Sequence, residues 1–209
     1  DEARAALDQY ETLSPEHPLV KDALSRLART GKLVPLVSNA SEGVAEALYG
    51  LGSALAQDAS GNDLAVLYLQ LAIYMRPRFD VAHTLLADSY EQRKRWADAI
   101  AAYAAVGKDS PLYRNARIQT ALDLDKLDRE DGAVKVLRAM LNEDPKALEP
   151  VIALGDIYRG KEKYAEAAAE YTRAITLAGE PVPARWSLYY ARGICRERLG
   201  QWPLAEEDL

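Results

Sequence analysis

Leu86-Ala87-Asp88-Ser89-Tyr90, followed by Trp96-Ala97-Asp98-Ala99, Tyr103 and Pro111, is the stretch on which the fold turns. Stepping by 34 residues carries Leu86 to Thr120 and Leu154, Tyr90 to Leu124 and Tyr158, and Ala99 to Ala133 and Ala167. Tyr103 goes to Leu137 and Tyr171, and Pro111 goes to Pro145 and then Gly179, two residues before Pro181. The same marks recur one unit earlier as Leu51, Leu55, Ala65, Leu69 and Pro77, and one unit later as Ala205 and Leu209. Self-similarity at such a period marks a stacked-repeat architecture. The units are 45–79, 80–113, 114–147, 148–185 and a partial one at 186–209.

Within each unit the apolar spacing is helical. Leu86, Ala87 and Tyr90 share one face, and Ala99, Tyr103 and Val106 share another after the break at Lys94-Arg95. Two helices joined by a tight turn result, and proline closes the unit because it cannot continue a helix interior. Gly52, Ala87, Ala121, Gly155 and Gly193 in the first helix face Ala65, Ala99, Ala133, Ala167 and Ala205 in the second. Residues this small let two backbones approach, where a large side chain would overpack the contact. One hairpin cannot bury its apolar face alone, so the hairpins must stack on one another.

The marks Leu51-Gly52, Leu55, Ala65, Leu69, Ala72 and Pro77 resemble the tetratricopeptide repeat. So do Leu86-Ala87, Tyr90, Trp96, Ala99, Tyr103 and Pro111, and Leu154-Gly155, Tyr158, Tyr164, Ala167, Tyr171 and Ala174. The partial unit adds Arg192-Gly193, Gly200, Trp202 and Ala205. The resemblance implies an all-α, right-handed superhelical solenoid of antiparallel helix pairs. It further implies a non-catalytic scaffold that binds a peptide or protein segment in the groove lined by its first helices. The unit at 114–147 departs most, with Thr120 for the usual Leu and Glu130 for the usual aromatic, and is expected to pack more loosely.

Residues 1–44 read as the tail of a preceding repeat, a further helix and an extended linker. Ala3–Leu13 and Leu19–Ala28 are helical, with Ser14-Pro15-Glu16-His17-Pro18 between them. Gly31 to Ser41 is too rich in Val and Pro for helix. The apolar run Leu33–Val37 is not expected to stand free in water. A linker laid on the flank of the array is expected over a segment lying in the groove, because short connections pack locally. Leu209 falls inside the second helix of a unit, so a continuing array or a second copy is expected to cover that face.

Composition narrows the function. Among 209 residues, 26 Lys+Arg stand against 32 Asp+Glu, a net charge of −6. That balance excludes nucleic acid as the main partner, since phosphate backbones reward clustered Lys and Arg. No apolar run is long enough to span a bilayer. Twelve Tyr stand against one Phe, which favours positions with an apolar body and a wet polar tip. No cofactor, metal site or catalytic set is expected. His17 and His83 lie in different units, Cys195 has no His nearby in sequence, and Gly50-Leu51-Gly52 sits inside a helix where repeat packing accounts for it.

The first helices place the candidate binding residues. They are Tyr49 and Ser53; Thr84, Asp88 and Glu91; Ile118, Leu122 and Asp125; Ile152, Asp156 and Arg159; and Tyr190. Asp and Glu outnumber basic groups here, with Ile118, Leu122 and Ile152 as an apolar strip. Such a face favours a basic peptide carrying apolar anchors. Tetratricopeptide proteins that clamp a carboxylate use Lys, Arg and Asn where this chain has Tyr49, Ser53, Thr84 and Asp88, so that use is not expected. The Ala-, Arg- and Leu-rich style is similar to long bacterial tetratricopeptide proteins. That likeness implies an assembly or envelope-associated adaptor in the bacterial periplasm or cell envelope, with the cytoplasm as alternative. The rival functions are a regulatory or substrate-docking segment of a larger enzyme and a self-associating homo-oligomer.

Overall fold

A computed structural model describes residues 2–15, 17–33, 35–57, 62–179 and 185–209. Helices account for nearly all of it: α1 (Glu2–Leu13), α2 (Pro18–Thr30), α3 (Ala40–Ala56), α4 (Asn62–Met75), α5 (Asp80–Glu91) and α6 (Trp96–Tyr103). They continue as α7 (Tyr113–Lys126), α8 (Glu130–Glu143), α9 (Leu148–Gly160), α10 (Tyr164–Ala178), α11 (Trp186–Arg198) and α12 (Trp202–Asp208). The chain forms two compact units, Asp1–Ala116 and Arg117–Leu209. The architecture is all-α, of the tetratricopeptide solenoid class.

The hairpin turns are built alike. Lys94, Asp128, Glu162 and Gly200 all have positive φ, at 57°, 56°, 60° and 71°. Behind each, an amide reaches back five residues: Arg95 to Tyr90, Arg129 to Leu124, Lys163 to Tyr158, and Gln201 to Arg196, all at 2.9 Å. This is the helix-ending bond that a left-handed residue permits. Three of the four turns spend a non-glycine residue on it, at a cost of roughly 1–2 kcal/mol each. The turn of the α3–α4 hairpin lies outside the described residues, as does Pro181.

The cores follow from the small-residue positions. In the first unit, Ala65 has no exposed surface, and Leu69, Ala72, Ala82, Ala87 and Ala99, equally buried, cluster with Phe79, Leu86, Tyr90 and Tyr103. In the second, Ala121, Ala133, Leu137, Val151, Leu154, Ala167, Tyr171 and Cys195 do the same. A Cβ on Gly155 would come within 2.8 Å of the Tyr171 ring, and one on Gly52 within 2.9 Å of Leu69 Cγ. Glycine is required at both by close approach. In the unit at 114–147, Ala121, Ala133 and Leu137 are likewise fully buried. Glu130, which stands in for the aromatic, is held by Lys163 Nζ at 2.6 Å.

Two readings of the first 44 residues need correction. Helix α3 begins at Ala40, inside the Gly31 to Ser41 stretch read as non-helical, because Asn39 caps it. The Asn39 side chain accepts from the Glu42 amide at 3.0 Å, and the Glu42 carboxylate accepts from Ser38 N and Oγ at 2.7 Å. That reciprocal arrangement satisfies orphan amides at the helix start. The apolar run Leu33–Val37 is not sheltered from water: Leu33, Leu36 and Val37 are exposed, Leu36 by 68% (Val34 lies outside the described residues). What fastens the segment is polar: Arg76 reaches the Leu36 carbonyl and pairs with Glu46 at 2.9 Å. Val37 also packs beside Gly43 on the flank of α3.

Candidate protein-binding face

In the first unit the candidates lie on α3 and α5. Tyr49 is half-buried, its ring 5.2 Å from that of Phe79, so it packs between the two hairpins. Burial, with the Glu46 and Asp88 charges nearby, pushes its hydroxyl pKa above the ordinary range. Ser53 is half-buried. Thr84 turns its hydroxyl back on its own helix, donating to the Val81 carbonyl at 3.0 Å, and so offers a ligand little. Asp88 and Glu91 are brought together by a residue from α6. The Tyr103 hydroxyl lies 2.6 Å from Asp88 Oδ1 and 2.9 Å from Glu91 Oε1.

A phenol has one proton to give. Two carboxylates around one hydroxyl therefore compete for a single donor. Neither has a basic side chain beside it among the described residues. Burial is the largest influence on both, pushing their pKa values up, with the Tyr103 hydrogen bond opposing it and the Asp88 charge adding to it at Glu91. The Tyr103 hydroxyl is itself pushed far up, by burial first and then by the two carboxylates.

The second unit repeats the motif with a different charge. Tyr171, on α10, donates to Asp156 Oδ1 at 2.7 Å and accepts from Arg159 Nε at 3.0 Å. Arg159 also stands 3.4 Å from Asp156. Asp125 is met by Lys161 Nζ at 3.4 Å, from the turn after α9, and the same ammonium holds Asp128 at 2.8 Å. Ile118, Leu122 and Ile152 are half-buried and lean on the unit's core. Tyr190 is exposed, its ring 5.6 Å from that of exposed Trp186.

The acidic character expected of the whole face is thus confined to Asp88 and Glu91. In the second unit Arg159 and Lys161 compensate Asp156 and Asp125. The sequence reading missed Tyr103 and Tyr171 as polar members of the face, and Lys161 and Trp186 altogether. The first two carried a signal: Tyr occurs where two other units have Leu69 and Leu137, in a chain with a large excess of Tyr over Phe.

His83 is buried with Nε2 3.0 Å from the Pro77 carbonyl, and burial pushes the Cys195 thiol pKa up. Among the described residues no group of three His, Cys, Asp or Glu is placed to hold a metal ion, and no helix is long and apolar enough to cross a membrane.

Stacked hairpins with small-residue contacts define a tetratricopeptide-type fold, and solved structures agree. The chain is similar to residues 41 to the end of MamA from Desulfovibrio magneticus RS-1, at 16% identity and a TM-score of 0.63, covering 82% of this chain and 93% of that one. It is similar to a tetratricopeptide repeat protein from Parabacteroides merdae ATCC 43184, at 14% identity and a TM-score of 0.64, covering 100% and 78%. PilW, a type IV pilus biogenesis factor, matches at 13% identity and a TM-score of 0.60, covering 99% and 81%. At these identities the likeness is one of fold. No protein-family model matches the chain, and no curated protein does.

Proposed function

We propose that the chain is a non-catalytic scaffold whose first-helix face binds a protein segment bearing Lys or Arg beside apolar anchors. The observation that carries this reading is the Asp88–Glu91 pair. Two carboxylates, exposed Asp88 and half-buried Glu91, share one hydroxyl proton and have no basic neighbour among the described residues. A guanidinium or ammonium from a partner supplies the donors that Tyr103 cannot. It also removes the like-charge repulsion, so the same contact gives affinity and selects for charge. In the second unit Arg159 already occupies that role, which supports the first as the place of electrostatic selection. The bacterial periplasm or envelope is the proposed compartment, on the resemblance in sequence style to long bacterial tetratricopeptide proteins.

Capture of partners from envelope and cytoplasmic fractions tests both parts, with wild type compared against Asp88→Lys/Glu91→Lys. The expected result is a partner in the envelope fraction that is lost from the double variant, with helicity unchanged. Identical partner sets would show that the pair is not the site, and recovery only from the cytoplasmic fraction would overturn the compartment.

A further inference from the structure

Helix α4 differs from α6, α8 and α10 on its outer side. Leu64, Leu67, Leu71 and Tyr74 are all exposed, Tyr74 by 81%. The matching positions are Asp98, Ala101, Ala105 and Lys108 one unit later, then Gly132, Lys135, Ala139 and Asn142, then Glu166, Ala169, Arg173 and Thr176. In those three units the repeat keeps this stripe polar or small; on α4 it is large and apolar. The inward side of α4 is complete without it, since Ala65 is buried and Val66, Leu69 and Ala72 make the core contacts.

The neighbouring helix is bare as well. On α3, Val44 and Leu51 are exposed, Leu51 by 52%, whereas the equivalent Leu86 is 6% exposed and Leu154 is buried completely. Leu86 lies in the cluster formed with Leu69 and Ala72 of the preceding hairpin. The chain's own α2 leaves Val44 and Leu51 uncovered.

The spacing of the α4 stripe says what fits it. Steps of three, four and three are the a and d positions of a heptad, the seam along which two helices pair. The flanking e and g positions are Tyr68 and Met75, Asp63 and Gln70. Asp63, at the start of the helix, is already tied to Arg93. A seam without free charge gives a basic or acidic partner nothing to read, but it matches itself. Related by a two-fold axis, two antiparallel copies place Leu67 against Leu71 and Leu64 against Tyr74, each layer twice. The patch supplies its own complement, as an isologous contact must. The Tyr74 hydroxyls stand at the two ends, where they reach water. No like charges meet, although each copy carries a net −6.

We propose that the chain self-associates as a two-fold dimer through α4 paired antiparallel with α4 of a second copy, in the register that sets Leu67 against Leu71. A helix of 14 residues is about 21 Å long. Even with Val44 and Leu51 added, the contact lies at the small end of specific interfaces, so it forms in the micromolar range. The inference does not rest on the Asp88–Glu91 reading, and it uses a different face of the protein.

Sedimentation equilibrium between about 5 and 500 μM tests it, on wild type, Leu67→Lys, Leu71→Glu and an equimolar mixture of the two variants. Wild type is expected to rise from one-copy to two-copy mass across that range. Each variant alone is expected to stay at one-copy mass with unchanged helicity, because both positions are exposed. The mixture is expected to regain two-copy mass. In the mixed pair the ammonium introduced by Leu67→Lys faces the carboxylate introduced by Leu71→Glu, and the second layer keeps its two leucines. Wild type remaining at one-copy mass overturns the proposal, whichever other segment covers the stripe. Dimers that persist in the single variants overturn it in favour of another face. Variants that fail to recover on mixing overturn the antiparallel register.

Discussion

Asp88, Glu91 and Tyr103 in the first unit correspond, 68 residues on, to Asp156, Arg159 and Tyr171 in the second. Each tyrosine rises from the second helix of a hairpin and presents its hydroxyl to the first. In the second unit the hydroxyl closes a chain from guanidinium to phenol to carboxylate, each polar group with its partner. In the first unit the guanidinium is replaced by a carboxylate, and the same hydroxyl is left with two acceptors. One residue type at position 91 against position 159 thus separates a site in which each polar group has its own partner from one in which a single hydroxyl serves two carboxylates. A repeat array keeps its packing rules constant and varies the groups that the packing presents.

The packing under the two tyrosines also differs, by one methyl, and gives the largest effect. Tyr103 shares its buried cluster with Ala87, whereas Tyr171 lies against the equivalent Gly155, where a Cβ would fall 2.8 Å from Cε1 and 3.0 Å from Cδ1. Gly155→Ala gains up to about 1 kcal/mol of helix propensity. It is expected to lose about 1–3 kcal/mol to overpacking, because the ring is fully buried and has nowhere to go. Ala87→Gly, the reverse exchange, costs the propensity without the clash. Urea unfolding of the two variants decides it. If Gly155→Ala stabilises the protein, then Tyr171 has room to shift and the second unit is not the tighter of the two.

Glu91→Arg transplants the second arrangement into the first and is the next effect in size. The new guanidinium, placed as Arg159 is, relieves the competition for the Tyr103 proton. At a partly exposed site this is expected to add about 0.5–1 kcal/mol of stability. It is also expected to abolish binding of a basic segment. Thermal unfolding and a binding titration with a Lys- and Arg-bearing peptide check the two consequences on one variant. A stability gain with binding retained would separate the pair from the binding site.

These contrasts are partly legible in the sequence. The hairpins can be read because every unit repeats Gly or Ala and then Ala at fixed steps, with Leu before the first of them in three units, and because small residues at a close contact admit no substitute. Asp88 and Asp156 can be placed on the same face by the same steps. Their partners cannot. Whether Tyr103 reaches across to Asp88 and Glu91 depends on how far α6 is rotated against α5, which periodicity alone leaves open. Lys161 meets Asp125 only because the α9–α10 turn projects back over the preceding hairpin. Asn39 and Glu42 have the spacing of a helix cap but sit beside Pro35 and Val37, whose composition reads as linker. The bare stripe on α4 is visible in Leu64, Leu67 and Leu71, yet apolar spacing cannot say whether a helix face is core or surface until its neighbours are in place.

The smallest effect is the most diagnostic of the first unit's imbalance, because its sign differs between the two regions. Burial raises the pKa values of Asp88 and Glu91 above 3.8 and 4.5, the ordinary values for Asp and Glu. A carboxyl shifted upward takes its proton more readily in the folded chain than in the unfolded one. Its contribution to stability is therefore fully present below the ordinary value and is lost as pH rises through the raised one. Asp128 is the counter-case: the Lys161 hydrogen bond, and after it the Lys161 charge, hold its pKa below the ordinary value. Its contribution is present above that value and is lost as pH falls through the depressed one. Against wild type, Asp88→Asn/Glu91→Gln is expected to gain relative stability as pH is raised from about 4 through the window above the ordinary carboxylate values. Asp128→Asn is expected to lose relative stability as pH is raised from about 2 to 5. Denaturant midpoints for the three proteins across that range measure both slopes. Parallel curves for wild type and the Asp88–Glu91 variant would mean that the two carboxylates are solvated after all, and the difference between the units would then be one of shape alone.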